Sequence, residues 1–338
     1  MNEFLDALSL GVRSMFAYQA VFFALLAMGL NLHFGYTGLL NFGQIAFAMV
    51  GGFGIAISVT QWGLPFFVGV LIGLVAAVVL ALLLGLPTLR LRADYLAIVT
   101  IAAAEALRLL FRSVSSTPVT GGTQGISAFN TGFLDLSPWS PAGRYDILGT
   151  RWSGVELWTV TVGWTLVVLG SLLIFALMRS PWGRVLKAIR EDEDAARALG
   201  KNVYSYKMQS LVLGGVFGAL GGMVYALGTG SVQPDQYQNA NTFLAYGALI
   251  LGGAARVLGP VVGAMLLWFI IAFSDSGLSA LIGNGVSFFG LFQLDDVFDA
   301  TDVAFARFII IGIGIMLLMI FRPQGIFGDR REVLLDAR

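Results

Sequence analysis

SPWGRVLKAIREDEDAARALGKN, residues 180–202, interrupts a run of apolar segments and lies between two of them, 155–178 and 203–228, each long enough to cross a bilayer. Seven of the chain's twenty Lys and Arg fall between Arg179 and Lys207, together with the acidic cluster Glu191, Asp192, Glu193 and Asp194. So dense a set of charges is not accommodated in hydrocarbon. The chain therefore leaves the membrane here and re-enters it, with a helix-forming loop between two spans.

Composition extends this reading to the whole chain. Of 338 residues, 57% are hydrophobic and 12% charged, against about 25% charged in an ordinary globular domain. A soluble fold has too little interior to hide that much apolar surface. The fold class is all-α: a polytopic transmembrane helix bundle forming one domain over 1–338. The 43 glycines suit helices that pack backbone to backbone in lipid. The absence of cysteine excludes disulfides and thiolate metal sites. Net charge is zero, which says little where sidedness matters more than the total. The first residues carry Glu3 and Asp6 with no basic region before an apolar run, so they do not read as a cleavable signal.

Apolar runs predict about nine spans, at 15–33, 38–60, 65–87, 94–112, 155–178, 203–228, 243–257, 258–274 and 303–321. Placing 88–92, 179–202 and 322–338 inside, with Lys207 and Arg256, puts fourteen of the twenty basic residues on the cytoplasmic side. The opposite segments 229–242 and 275–302 have none. This assignment makes 179–202 a cytoplasmic loop, 322–338 a cytoplasmic tail and 113–154 an extracytoplasmic loop. It places the N-terminus outside, provided no span near the start is broken or missed.

Within the cytoplasmic loop, Ser180-Pro181 signals a helix start, with Ser as cap and Pro at the first position. Val185, Leu186, Ile189, Ala196 and Leu199 recur at roughly helical spacing, and Gly200 is placed to end the helix. Glu193 precedes Arg197 by four, a favourable surface pair. Two uses suit such a helix: docking to a soluble partner, with alanines keeping one face slim, or lying on lipid headgroups.

A second feature is Gly35-Tyr36-Thr37-Gly38-Leu39-Leu40-Asn41-Phe42-Gly43-Gln44, leading to Gly51, Gly52 and Gly54. Asn41 and Gln44 are three apart, on one face if helical, inside an otherwise apolar span. Amides there must be paired. With Thr37 and the glycines they predict a broken or re-entrant helix near 35–60, its polar groups either lining a pathway or bonding a neighbouring helix. His33, the single histidine, reads as an interfacial residue at a helix end.

Glu105, Arg108 and Arg112 share a face of the fourth span, either as part of a substrate path or as groups that neutralise one another and reach the interface. Gly214, Gly218 and Gly222 form a stripe for close helix packing. The outer loop Thr120-Gly121-Gly122-Thr123-Gln124-Gly125 does not match a phosphate-binding loop, and no Walker sequence occurs anywhere. Any ATP hydrolysis must come from another polypeptide. Neither a catalytic motif nor metal-ligand spacing is present, so the chain reads as no enzyme and needs no cofactor of its own.

These pieces together resemble the permeases of branched-chain amino-acid ABC importers, the M-type of the two paired membrane subunits. The resemblance rests on 35–44, on Leu89-Arg90-Leu91-Arg92-Ala93-Asp94-Tyr95-Leu96-Ala97-Ile98-Val99-Thr100, on 120–126, on the loop from Ser180 through Ala188-Ile189-Arg190-Glu191 to Gly200, and on Arg322-Pro323-Gln324-Gly325-Ile326-Phe327-Gly328. Asp194-Ala195-Ala196-Arg197-Ala198-Leu199-Gly200 is similar to the acid-Ala-Ala-x-x-x-Gly loop of ABC importer permeases. It has Asp in place of Glu and lacks the Ile-x-Leu-Pro tail.

The resemblance implies a bacterial plasma-membrane importer with a second permease subunit, two cytoplasmic ABC ATPases that bind and hydrolyse ATP, and an extracytoplasmic binding protein that delivers Leu, Ile or Val. It implies that Arg190, Glu193, Asp194, Ala195, Ala196, Leu199 and Gly200 couple to the ATPase. Thr37, Asn41, Gln44, Glu105, Gly121, Gly122 and Gln124 are the candidate pathway residues. Related permeases import urea or short amides, and a stand-alone ion-coupled transporter, with Glu105 as its coupling carboxylate, is a rival of another class.

Overall fold

Apolar runs in lipid close their backbone hydrogen bonds internally, and the computed structural model is helical through its long apolar segments. It describes residues 2–283 except 91–92 and 148–149, and short pieces beyond (287–288, 292–293, 309, 312–314, 316–317, 320–321 and 325–327). The order is α1 (Asn2–Phe16), α2 (Tyr18–Leu30) continuing as a π-helical stretch Asn31–Tyr36, α3 (Gln44–Thr60), α4 (Phe66–Thr88) and α5 (Ala93–Arg112). The short α6 (Thr117–Thr120) and α7 (Thr131–Leu134) follow, then α8 (Gly154–Arg179), α9 (Pro181–Glu191), α10 (Glu193–Ala198), α11 (Val203–Thr229), α12 (Asn239–Gly252) and α13 (Gly259–Gly283).

Among the described residues, five stretches are long and apolar enough to cross a membrane: Tyr18–Tyr36, Phe66–Thr88, Gly154–Arg179, Val203–Thr229 and Gly259–Gly277. Five of the nine expected spans, at 15–33, 65–87, 155–178, 203–228 and 258–274, correspond to these, the expected span at 94–112 is the more charged helix α5, and the runs at 38–60 and 243–257 differ from expectation. The run at 38–60 begins as helix only at Gln44. The run at 243–257 stops at Gly252, where Gly253 at φ 105° turns the backbone out of the helix. Its 14 residues reach only about 21 Å at 1.5 Å per residue, short of the ~30 Å hydrocarbon core. The run at 303–321 lies largely outside the described residues. At the start, α1 is a helix that the span count omitted. Its Gly11 lies against Phe269 and Phe273 of α13.

The core is α2, fully buried from Ala20 to Leu30, wrapped by α3, α8, α11, α12 and α13. Its position explains its lack of an apolar stripe: a helix covered on all sides is apolar all round. By contrast α4 buries Gly69, Gly73, Ala77, Ala81 and Gly85 along one edge and exposes Leu71, Val75, Val79 and Leu83. Small residues there let it approach α3 and α11 closely.

α2 and α11 are antiparallel, with the Tyr18 and Tyr225 rings 6.0 Å apart at one end and His33 bonded to Leu211 near the other. The Gly214–Gly218–Gly222 stripe lies inside this chain: Gly214 meets Gly29 and His33, Gly218 meets Gln44 and Phe47, and Gly222 meets Ala48.

The described residues of 113–154 form local structure tied to the bundle. Ile126–Ser127 (β1) pairs antiparallel with Ser231–Val232 (β4), and Arg144–Ile147 (β2) with Thr150–Ser153 (β3). Trp158 of α8 donates its indole N–H to the Phe133 carbonyl at 2.9 Å, tying the segment down. Of the 322–338 tail, only 325–327 is described. Ile326 and Phe327 donate N–H groups to Leu251 and Gly252 carbonyls, both at 3.1 Å, satisfying the open end of α12.

Candidate functional site

The break between α2 and α3 organises one candidate region. Gly38 has φ +74°, a conformation that L side chains rarely adopt, and it reverses the chain after Tyr36. Leu39 then donates its N–H back to the His33 carbonyl at 2.8 Å. The π-helical stretch frees the Leu32 carbonyl, which accepts from Thr37 Oγ1 at 2.8 Å and Ser210 Oγ at 3.0 Å. Asn31 Nδ2 donates to the Arg256 carbonyl and its Oδ1 accepts from Ala255 N–H, both at 2.8 Å, clamping the α12–α13 turn.

Asn41 lies in the break rather than on a helix, which corrects its expected placement on a helix face with Gln44. The two amides still meet, because Asn41 Nδ2 donates to Gln44 Oε1 at 3.2 Å and to His33 Nδ1 at 3.1 Å. His33 Nε2 faces the Leu211 carbonyl at 3.2 Å. A carbonyl only accepts, so the proton sits on Nε2 and Nδ1 is the acceptor. Gln44 Nε2 donates to the Gly214 carbonyl at 2.8 Å, and Asn41 Oδ1 accepts from Gly43 N–H at 2.9 Å.

Thr37, Asn41, Gln44 and His33 are all at most 2% exposed. His33 is therefore a core residue and not an interfacial one, because α2 ends inside the bundle. Three further side chains, which sequence reasoning missed, complete the break. Thr100 accepts from Phe42 N–H at 3.1 Å, Thr242 accepts from Ile45 N–H at 3.2 Å, and Tyr246 donates to the Asn41 carbonyl at 3.0 Å. Spacing of Thr242 and Tyr246 by one helical turn was the available signal.

The loop forms a second region. The single helix expected from Ser180 to Gly200 is two helices split at Asp192, which is extended at φ −153° and accepts N–H bonds from Asp194 and Ala195, both at 2.9 Å. Asp192 is thus the cap that ends one helix and starts the next. Ser180 does not cap with its side chain; its hydroxyl donates back to the Leu177 carbonyl at 2.7 Å. Gly200 ends α10 as expected, at φ +75° with open space around it.

The named loop residues divide by exposure. Ala195, Leu199 and Gly200 are exposed, Leu199 at 79%. Ala196 is 3% exposed and packed with Ile189 and Val203, so it belongs to the interior of the chain. Glu193 binds Lys207 Nζ at 2.5 Å and Arg197 at 2.9 Å, while Asp194 binds Arg197 at 2.9 Å. Arg190 joins the two regions: its Nη1 donates to the Gly35 carbonyl at 2.6 Å, and Gly38 lies against its backbone.

Glu105 belongs to a third group at the opposite end of the bundle. Arg108 bridges Glu105 and Asp235, each at 2.5 Å; Arg112 approaches Asp235 at 3.5 Å; and Asn239 Nδ2 donates to Glu105 at 3.3 Å. Asp235, the one charged residue of 229–242, was not foreseen as the partner. Gly121 and Gly122 turn the chain after α6 at φ +74° and +60°, and Gln124 is exposed. They are not joined to the buried amides. Among the described residues no group of three or more His, Cys, Asp or Glu is arranged to hold a metal.

The family model for branched-chain amino acid transport system permease components matches residues 12–313. The chain belongs to this permease family. The match spans the broken helix, the split loop and the charged group together. Among curated relatives, the high-affinity branched-chain amino acid transport system permease protein LivM of Salmonella typhimurium is 33% identical over 261 residues, 74% of this chain and 61% of that protein. The Escherichia coli K12 protein of the same name is 32% identical over 260 residues, with the same coverage. This chain thus aligns with only about three fifths of the length of both. A probable branched-chain permease LivM of Methanocaldococcus jannaschii is 22% identical over 96% of this chain and 95% of its own length. No solved structure matches. Permease membership and five membrane-length helices make this a multi-pass membrane protein.

Proposed function

We propose that this chain is a membrane-spanning subunit of an ATP-binding cassette importer that moves branched-chain amino acids inward across the bacterial plasma membrane. Its partners in this reading are a second permease, two cytoplasmic ATPases and an extracytoplasmic binding protein. The family match over 12–313 carries the reading, and the relatives named for high-affinity branched-chain transport support the substrate class.

The geometry supplies a means. A motor pressing on the exposed Ala195–Leu199–Gly200 tip loads Ala196 and Ile189 beneath it, and through Arg190 loads the end of α2 at Gly35. The pathway in this reading lies beside the break rather than through Asn41 and Gln44, whose amides already bond protein groups. The Glu105–Arg108 pairing favours this motor-driven reading over an ion-coupled carrier, which needs a carboxylate free to exchange protons or ions.

The test is reconstitution of the chain with its co-purifying subunits in vesicles. ATP-dependent uptake of labelled leucine, competed by valine and not by urea, is the expected result. Solute movement by the isolated chain under an ion gradient would overturn it.

A further inference from the structure

Resting on that permease reading, we propose that the far end of α5 carries a subsite for a zwitterionic amino acid with an apolar side chain. Ile98, Ala102, Glu105, Leu109 and Arg112 follow one another at three- and four-residue steps, so they form one stripe on α5. Ile98 is 62% and Leu109 50% exposed. On that stripe the side chains of Glu105 and Arg112 are 38% and 45% exposed, and that of Asp235, which pairs with Arg108 and Arg112 from the turn after α11, is 39% exposed. Glu105 lies seven residues inside the helix end, about 10 Å at 1.5 Å per residue. A partly exposed carboxylate at that depth, with Asp235 and Arg112 beyond it toward the helix end, is not turned to hydrocarbon. It faces an aqueous path.

The arrangement matches a zwitterion in sign and geometry. Charges alternate Glu105, Arg108, Asp235, Arg112, two of each sign. Arg108, only 12% exposed, holds both carboxylates at 2.5 Å and so fixes Asp235 in place. The outermost contact, Arg112 to Asp235, is long at 3.5 Å and open to solvent. An α-amino acid inserts there with its carboxylate on Arg112 and its ammonium on Asp235, exchanging one ion pair for two and leaving no charge unpaired. Leu109, on the same stripe between Glu105 and Arg112, is the apolar contact for the side chain. Inward, Phe243 is 50% exposed and 5.4 Å from Phe42, continuing an apolar strip toward the break.

The chain has no cysteine, so Leu109→Cys gives a single reporter thiol on this subunit. In the assembled importer, a membrane-impermeant maleimide is expected to label it. Saturating leucine should slow labelling several-fold and leucinamide, which lacks the carboxylate, should not. Adding Arg112→Met should remove the protection. Equal labelling with and without leucine, in vesicles shown to take up leucine, would overturn the subsite, as would a thiol that never labels. Vesicles of the unmodified importer that take up no leucine would instead sink the permease reading.

Discussion

Arg190 Nη1 donates to the Gly35 carbonyl at 2.6 Å, across 155 residues of sequence. Through this hydrogen bond the 180–202 loop grips the π-helical end of α2. A bond from a charged donor contributes about 1.5–3 kcal/mol, and each 1.4 kcal/mol is tenfold in the equilibrium it supports. Arg190→Met should therefore lower leucine uptake about tenfold or more while ATP hydrolysis continues, with Arg190→Lys intermediate. Uptake per ATP at the parent level in both variants would count against the link.

Ala195 and Ala196 are neighbours with opposite fates. Ala195→Trp adds bulk at an exposed tip, so folding should be intact and coupling to the ATPase lost. Ala196→Trp adds it to the Ile189–Val203 packing and should destabilise by about 1–3 kcal/mol. Thermal unfolding of the two purified variants, read beside ATPase co-purification, separates them; identical behaviour refutes the division.

His33 and Asn41 share a buried hydrogen bond. His33→Leu strands an Asn41 N–H, and Asn41→Leu strands the Gly43 N–H and His33 Nδ1, each stranded group costing about 1–3 kcal/mol. The double variant should be less destabilised than the sum, because the shared bond is counted in both singles. Additivity within error in a double-mutant cycle is the outcome that defeats the network.

Gly222 and Gly277 provide a contrast between two helical glycines. A Cβ at Gly222 meets the Ala48 carbonyl, whereas one at Gly277 meets nothing within 4 Å. Gly222→Ala should force α3 and α11 apart and abolish assembly. Gly277→Ala should be tolerated, with up to about 1 kcal/mol of added helix stability. Membrane yield and melting of each variant check this.

Much of this was legible because the membrane leaves few options: long apolar runs are helices, and Asn41 and Gln44 had to find partners. What stayed hidden depends on contacts remote in sequence. Nothing local in Arg190 points to Gly35, nor in Asp235 to Arg108. The loop's division at Asp192 was missed because an acid in an acidic run reads as a solvated helix face, and only its backbone angle makes it a cap. The α12 terminus was missed because apolar residues continue past Gly252, while the Gly253 backbone does not stay helical.

The loop is anchored to two helices, by Arg190 to the end of α2 and by Trp182 to Gln209 and Glu193 to Lys207 on the first turns of α11. A bracket fastened at two separated bolts resists sliding but converts a rocking load into torque. Because α2 and α11 are antiparallel and locked by glycine contacts, such torque turns them as one body against the outer helices, and the broken α3 start is carried with them.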